Sequence, residues 1–178
     1  LGSSVGVSKV RSEKEFKKAI DSAFLYDNKI LIEENISGRE IECSVLGNEK
    51  PTVSLPGEII PKHEFYSYEA KYLDENGAEL KIPAELSKST IKNIQKMVIK
   101  TFEVLCCEGM ARVDFFLTKD NKIIVNEINT IPGFTSISMY PKLWEASGVS
   151  YSKLIDTLIE LAIKRFNVEA KLRTSFVE

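Results

Sequence analysis

Apolar residues recur along the chain at two spacings, and each spacing predicts a different kind of element. A spacing of three to four residues is typical of one face of a helix, and it appears over 12–26, over 87–106 and from about residue 150. Ser12 is predicted to start the first helix, because SEKE has the capping-box pattern with Glu15. The apolar positions of the three helices are Phe16, Ala19, Ile20, Ala23 and Phe24; Ile91, Ile94, Val98 and Phe102; and Leu154, Leu158, Leu161 and Ile163.

A spacing of two residues, typical of a half-buried strand, marks the segment between the first two helices. REIECSVLG is predicted to be a strand, and ILIEENI before it, ending at 37–38, and PTVSLPGEII after it are predicted to be antiparallel neighbours with turns at Gly38 and Gly47. The whole pattern predicts an α+β fold, an antiparallel sheet with flanking helices on one side. Ile41, Cys43 and Val45 are expected to point inward, and Glu40, Glu42 and Ser44 outward.

Residues 61–83, before the second helix, show no clear period and are rich in tyrosine. An irregular segment of this length inside a compact domain is uncommon and is often a lid or a binding loop. We therefore expect 61–83 to be a lid. Lys71 within it is a candidate phosphate contact, although an exposed loop lysine is the commoner case.

The segment RVDFFLTKDNKIIVNEIN predicts a hairpin with a polar turn. A turn centred between residues 120 and 121 places Asp114 opposite Glu127 and Arg112 opposite Asn129. Because side chains of a strand alternate between its faces, these four side chains share one face. The other face is expected to be core and to carry Val113, Leu117, Ile124 and Ile128.

Two carboxylates that face each other repel, which destabilises a hairpin unless a positive charge lies between them. Two carboxylates and an amide oxygen are hard ligands, suited to Mg²⁺ or Mn²⁺ and poor for zinc. In a second interpretation, Arg112 neutralises one carboxylate and the face is only solvated. The hairpin alone does not decide between these two interpretations.

Two further segments carry groups that bind anions. In INTIPGFTSIS, Gly133 can bring its backbone N–H close to a ligand, while Ser136 and Ser138 can donate to a carboxylate at a helix start. Turn chemistry with a helix N-cap explains the same residues equally well. The loop over 2–6 can present N–H groups and hydroxyls to phosphate, but its pattern is weak.

Composition narrows the classes of function. The chain has 178 residues, 43% of them hydrophobic, which is enough to bury a core. Its formal charge of −2 and dispersed Lys and Arg predict no nucleic-acid partner. It has no apolar run of about 20 residues and no signal peptide, so we expect no membrane contact and a cytoplasmic protein. Cys43, Cys106 and Cys107 are expected to be reduced, packed thiols, and His63 a solvated loop residue.

Five segments resemble D-alanine:D-alanine ligases of the ATP-grasp superfamily in order and approximate spacing: GSSVGVSKV, LIEENISGREIE, YSYEAKY, RVDFFL and NEINTIPGFTSISMYPKLWEASG. The resemblance covers roughly residues 1–168. It implies that 1–38 are the C-terminal part of the central ATP-grasp subdomain and 39–168 the C-terminal ATP-grasp domain with the lid 61–83, followed by a tail over 169–178. The N-terminal substrate domain is expected to be missing, so the chain alone is expected to be inactive or nearly so and to bind ATP weakly.

The resemblance also implies roles for individual residues. Arg112 would steady the transferred phosphoryl group and the developing oxyanion, and Gly133 would supply a backbone donor to that oxyanion. Ser3 and Tyr72 would hydrogen-bond each other across the closed site. Asp114, Glu127 and Asn129 would hold two Mg²⁺ or Mn²⁺ ions; Glu33, Asn35, Ile36, Glu40 and Lys71 would bind ATP; and Ser138 and Met139 would bind the carboxylate of the second D-alanine.

The implied activity is ATP-dependent joining of two D-alanines through an acyl phosphate, to make D-alanyl-D-alanine for peptidoglycan. The full-length protein would be a homodimer. Three alternatives remain at this point: a D-alanine:D-serine ligase, another ATP-grasp carboxylate–amine ligase, and a non-catalytic binding module that uses the hairpin face as an ion-pair surface. The pair Glu34-Asn35 departs from the aromatic or basic residues often seen beside the adenine.

Overall fold

The structure, a computed structural model, describes residues 4–61, 78–135 and 137–176. The chain divides into two compact units, residues 1–36 with 60–79 and residues 37–59 with 80–178. The domain boundaries inferred from the family resemblance stay a prediction. None of the helices described in these ranges is long and apolar enough to cross a membrane.

The first unit contains helix α1, Glu13–Ala23, which begins directly after Ser12 as predicted. The predicted capping box is wrong, because the Ser12 side chain makes no cap hydrogen bond. The Glu15 carboxylate instead accepts from the backbone N–H of Arg11 at 2.8 Å. The predicted start of the helix is confirmed, but the Glu15 side chain contacts Arg11 and not the residue expected from a capping box.

Residues 30–37 form no strand, which corrects the prediction made from ILIEENI. Leu31 and Ile32 are 83% and 67% exposed. A strand is held by hydrogen bonds from a neighbouring strand, and no described strand pairs with this segment. Apolar, β-branched residues give the sequence pattern of a strand without supplying that neighbour.

The second unit is built around an antiparallel sheet, as the α+β prediction requires. The strands run in the order β4-β3-β1-β5-β6, and β2 pairs with β1. β1 is antiparallel to β2, β3 and β5, and β5 is antiparallel to β6. The strands are β1 Arg39–Gly47, β2 Thr52–Val53, β3 Gly57–Pro61, β4 Ala78–Lys81, β5 Gly109–Leu117 and β6 Ile123–Asn129.

Three helices accompany this sheet: α2 Lys88–Val104, α3 Met139–Ala146 and α4 Tyr151–Glu169. The predicted starts of α2 and α4 are confirmed, since Ser87 Oγ accepts from the N–H of Thr90 and Ser150 Oγ from that of Lys153. α4 reaches Glu169, where the tail was predicted to begin. Ile163 lies on α4 but is 56% exposed, so it is not part of the core.

The helices cover both faces of the sheet, not one. Ile94, Val98 and Phe102 of α2 join Ile41, Cys43 and Val45 of β1 in one buried cluster. On the opposite face, Tyr140 and Trp144 of α3 and Leu154 of α4 pack with Leu46. Tyr140 Oη donates to the Val45 carbonyl at 2.9 Å. As a result Ser44 and Glu42, predicted to point outward, are buried at 0% and 6% exposure.

All three cysteines are free, but they are not equally packed. Cys43 is buried, Cys107 is half-buried and Cys106 is exposed, so the packed-thiol prediction is wrong for Cys106. Burial raises the pKa of Cys43 to about 12, which keeps that thiol protonated. His63 lies outside the described residues.

The β5–β6 hairpin has a turn of three residues, Lys119, Asp120 and Asn121. The Thr118 N–H donates to the Lys122 carbonyl at 3.0 Å, and Asn121 takes φ +61°, the left-handed position of such turns. The turn therefore centres on Asp120, half a residue from the prediction. A register shift after Asp114 adds one residue to β6 and restores Asp114 opposite Glu127.

This bulge changes which isoleucine of β6 faces the core. Ile123 lies opposite Leu117 and packs against the buried cluster, whereas Ile124 lies opposite Phe116 on the other face. The sequence prediction placed Ile124 in the core, and that is wrong. A single turn without a bulge cannot place both Ile123 and Ile128 on one face, because their numbers differ by an odd count.

We expect Ile123→Ala to lower the free energy of unfolding by about 1–2 kcal/mol, less than for a fully buried isoleucine. Ile124→Ala, the matched control one residue away, should cost less because it removes no contact with the core cluster. Urea unfolding of the two variants checks the register. A larger loss for Ile124→Ala would contradict it.

Candidate functional site

Three carboxylates lie side by side on the sheet face opposite α2. Glu42 of β1 is the register partner of Asp114 of β5, and Asp114 is the partner of Glu127 of β6. Residues directly opposite each other in adjacent strands share a face, so these three form what we call the acidic row. Exposure increases along it, from buried Glu42 and Asp114 to exposed Glu127.

The sequence analysis identified Asp114 and Glu127 but assigned no role to Glu42. The alternation of Glu40, Glu42 and Ser44 already placed Glu42 on the polar face of β1. What the sequence alone does not give is the pairing of β1 with β5, because 60 or more residues separate these partners. Glu42 is therefore the site residue that sequence reasoning missed.

Arg112 lies between two members of the acidic row. Its Nε and Nη2 donate to the two oxygens of Asp114, each at 2.7 Å. Its Nε also lies 2.9 Å from Glu42 Oε2. A forked contact with one carboxylate and an ion pair with a second fix both the position and the plane of the guanidinium.

Asn129 connects the outer two carboxylates. Its Nδ2 donates to Asp114 Oδ2 at 3.1 Å and to Glu127 Oε1 at 3.2 Å. One atom thus lies within 3.2 Å of both carboxylates, so the two converge on the same space. The predicted pairs, Asp114 with Glu127 and Arg112 with Asn129, are confirmed.

Burial and the neighbouring charges shift the pKa values of Asp114 and Arg112. Burial raises the pKa of Asp114 above its ordinary value; Arg112 opposes this rise, and the charge of Glu127 adds to it. Burial alone would lower the pKa of Arg112, but its hydrogen bond to Asp114 and the charges of Glu42, Asp114 and Glu127 raise it. Arg112 is therefore a permanent cation.

The donor set fits a hard divalent cation. Three carboxylates and one guanidinium leave two negative charges. Among the described residues no group of three His, Cys, Asp or Glu side chains is close enough to hold a metal, so the candidate ligands are Asp114, Glu127 and the Asn129 amide. Rotation of that amide by half a turn presents its oxygen, the atom Mg²⁺ prefers. A bound ion competes with Arg112 for the Asp114 oxygens.

The segment after β6 brings Gly133 next to Ser138. A Cβ added at Gly133 would lie 3.0 Å from Ser138 Oγ. Ser138 Oγ accepts from the Thr135 N–H at 3.0 Å and lies 2.9 Å from Thr135 Oγ1. Ser138 precedes α3 but does not cap it, and buried Met139 is the first residue of that helix. The turn interpretation thus describes Ser138 here, and its binding role stays a prediction.

Of the other predicted site residues, Glu40 lies on this face, opposite Phe116 and two residues before Glu42. Glu33, Asn35 and Ile36 belong to the first unit, in a segment without helix or strand. Ser3, Lys71, Tyr72 and Ser136 lie outside the described residues. The roles assigned to all of them remain predictions.

We expect Glu127→Gln to lower the pKa of Asp114, because it removes a negative charge that raises this pKa. An acid whose folded-state pKa is raised loses stability as pH increases from its unfolded value, about 3.9, through its folded value. Through Asp114, Glu127→Gln should therefore stabilise the chain at pH 7 in the absence of metal by about 0.5 kcal/mol, less the smaller attraction between Glu127 and Arg112 that it also removes.

Carbon NMR of the Asp114 carboxyl across a pH titration, with thermal unfolding at pH 7, measures both effects. Glu103→Gln on the exposed side of α2 is the control and should change neither. A higher pKa of Asp114 in Glu127→Gln would contradict the electrostatic account.

Comparison with solved structures identifies the fold. A D-alanine-D-alanine ligase from Coxiella burnetii matches with a TM-score of 0.86 and 51% identity, covering 96% of this chain and 45% of that chain. The VanG D-Ala:D-Ser ligase from Enterococcus faecalis gives 0.81 and 39%, covering 90% and 46%. The D-alanine–D-alanine ligase from Bacillus anthracis complexed with ATP gives 0.75 and 32%, covering 90% and 51%.

Sequence comparison agrees with this result. The D-alanine–D-alanine ligase of Oceanobacillus iheyensis is 62% identical over 174 residues, which are 98% of this chain and 48% of the relative. The chain therefore spans about half the length of the curated relatives it matches. The family described as D-ala D-ala ligase C-terminus matches residues 1–160. By this match, and by the fold it shares with the solved structures, the chain belongs to the family of D-alanine–D-alanine ligase C-terminal domains.

Proposed function

We propose that this chain is the phosphate-handling part of an ATP-dependent D-alanine:D-alanine ligase. The observation that carries the proposal is the convergence of Asp114, Glu127, Asn129 and Arg112 on one sheet face in a member of this family. The chain spans about half the length of its relatives, so the activity of the whole enzyme is proposed from the family.

Asp114, Glu127 and Asn129 are the proposed ligands of two Mg²⁺ or Mn²⁺ ions, with Glu127 shared. When bound, such ions neutralise the negative charge of the ATP phosphates. The row is most exposed at Glu127, which gives a triphosphate access from that side. ATP itself is proposed from the family and from the relative complexed with ATP.

Arg112 is the proposed donor to the transferred phosphoryl group and to the oxyanion that develops when the second amine attacks. Its guanidinium is already oriented by Asp114 and Glu42, so little reorganisation is needed during the reaction. The backbone N–H of Gly133 is the proposed second donor. The reaction is phosphoryl transfer to the first D-alanine, which gives an acyl phosphate, and then acyl transfer to the second.

The remaining assignments complete the proposal. Residues 1–38 are proposed to belong to the central ATP-grasp subdomain and 39–168 to the C-terminal domain. Because ATP is a cytoplasmic nucleotide, we place the reaction in the cytoplasm, in a homodimer when full length. Glu33, Asn35, Ile36, Glu40 and Lys71 are proposed for ATP, Ser138 and Met139 for the second substrate, and Ser3 with Tyr72 for a contact across the closed site.

D-alanine is the proposed second substrate. The relatives named D-alanine–D-alanine ligase reach 62% identity in sequence and 51% among structures. The D-Ala:D-Ser ligase VanG is more distant at 39%. D-serine is therefore the second candidate, and a substrate screen separates the two.

We expect ATP to bind the chain weakly and only with Mg²⁺, because the acidic row repels the triphosphate until a cation lies between them. Asp114→Asn and Glu127→Gln should each remove the magnesium-dependent signal in a calorimetric titration. Asp156→Asn, at an exposed position of α4, is the control and should bind as the unchanged chain does. Magnesium-independent behaviour in both site variants would favour a non-catalytic binding module.

We expect a chimera that carries this chain in place of the matching part of the Coxiella burnetii ligase to release phosphate from ATP only when D-alanine is present. Mass spectrometry of the product identifies D-alanyl-D-alanine. Activity with L-amino acids alone would contradict the assignment, and a preference for D-serine as second substrate would favour the second candidate.

The Arg112→Lys chimera tests the chemistry separately from binding. Lysine keeps the charge but cannot make the forked contact with Asp114. We expect ATP affinity to persist and turnover to fall by about 100-fold, the typical effect of losing one oxyanion donor.

A further inference from the structure

We infer that Glu42 is a positioning residue of this site, which holds the Arg112 guanidinium in place when a divalent cation takes the Asp114 carboxylate. The inference rests on the proposed function, in which Asp114 and Glu127 are metal ligands. It adds a residue to which that function assigns no role.

The contacts of Arg112 show why a second carboxylate is needed. Both Asp114 oxygens accept from Arg112 at 2.7 Å, and Asp114 Oδ2 also accepts from Asn129. A carboxylate oxygen has two lone pairs, so an ion can bind Asp114 Oδ2 only by displacing one of its two hydrogen bonds, and the charge of the ion weakens the others. An ion on Asp114 therefore weakens the hold of Asp114 on Arg112. Glu42 Oε2, 2.9 Å from Arg112 Nε, is the carboxylate that keeps its contact.

The charges lead to the same conclusion. The acidic row carries three negative charges and Arg112 one positive charge, so one divalent cation, bound without ATP, brings the cluster to neutrality. In that state Arg112 balances Glu42, and the cation balances Asp114 and Glu127. Glu42 is 6% exposed and no described group of three acids can share a metal with it. Glu42 is thus placed to contact Arg112 and not to bind the ion.

Strand geometry makes this exchange possible without backbone movement. Glu42 and Arg112 lie on adjacent antiparallel strands, two residues apart in register, because Ser44 is the partner of Arg112 and Glu42 the partner of Asp114. Diagonal neighbours on one face are within reach of long side chains. Arg112 can therefore keep its Glu42 contact while Asp114 turns toward β6.

A second arginine–glutamate pair supplies a control, with a buried glutamate and an arginine whose side chain is 39% exposed. Arg39 and Glu58 make two contacts of 2.7 Å on the face that carries α2. Glu58, like Glu42, is 6% exposed. Glu58→Gln therefore removes the same kind of buried charge from the same sheet without touching the acidic row.

The experiment measures Mn²⁺ binding to the unchanged chain and its variants by electron paramagnetic resonance, with Mn²⁺ alone as the probe. In Glu42→Gln, Arg112 has only Asp114 left and competes harder for its oxygens. Mn²⁺ should then bind about 10-fold more weakly, the typical loss when an outer-shell partner is removed. Glu58→Gln should lower the melting temperature but leave Mn²⁺ affinity unchanged.

Two further variants separate contact from simple charge. Glu42→Asp keeps the negative charge but shortens the side chain, so it should weaken Mn²⁺ binding as Glu42→Gln does. In an Arg112→Met background Glu42 has no arginine to hold, and Glu42→Gln should have no further effect. Persistence of the loss in that background, or full affinity in Glu42→Gln or Glu42→Asp, would overturn the inference.

A spectroscopic readout follows Arg112 directly. At saturating Mg²⁺ the Arg112 Nε–H should remain protected from solvent exchange in the unchanged chain and lose that protection in Glu42→Gln. Loss of protection in both would overturn the inference while leaving the metal site intact. Failure of the unchanged chain to bind Mn²⁺ or Mg²⁺ would overturn the metal assignment of the proposed function and the inference with it, so the two failures are distinguishable.

Discussion

The ion-pair cluster around Arg112 is the interaction on which this site depends. Glu42, Asp114 and Glu127 are register partners across three strands, so without a cation their charges would oppose the strand pairing that brings them together. Arg112 offsets part of that repulsion through contacts of 2.7 to 2.9 Å. The residual negative charge is left at the exposed end of the row, where a ligand can reach it.

The two faces of the sheet differ in what packs against them, and this difference supports the cluster. One face packs α2 against a continuous apolar cluster that includes Val113 and Phe115, the neighbours of Asp114 in sequence. The other is covered at one end by α3, where Tyr140 contacts the Val45 carbonyl, and is polar at the other. The strands that carry the site are therefore held in place by the apolar packing on their opposite face, which allows the side chains of the site to be positioned precisely.

Local patterns in the sequence predicted the parts of this arrangement that depend on neighbours along the chain. The helix starts at Ser87 and near Ser150 follow from the spacing of apolar residues, and the opposition of Asp114 and Glu127 follows from strand alternation. The role of Glu42 and the burial of Ser44 could not be predicted in this way. Glu42 pairs with Asp114 of β5, and Ser44 is covered by α3, and both elements lie far away in the sequence. Residues 30–37 failed for the opposite reason: the local pattern is present, but no described strand pairs with it.

The extra residue in β6 has an evolutionary consequence. It separates the pairing beside the turn from the pairing at the carboxylates, so a hairpin tip that gains or loses one residue can be accommodated by losing or forming a bulge. A change of one residue at the hairpin tip, an insertion or a deletion, therefore need not move Glu127 and Asn129 out of register with β5.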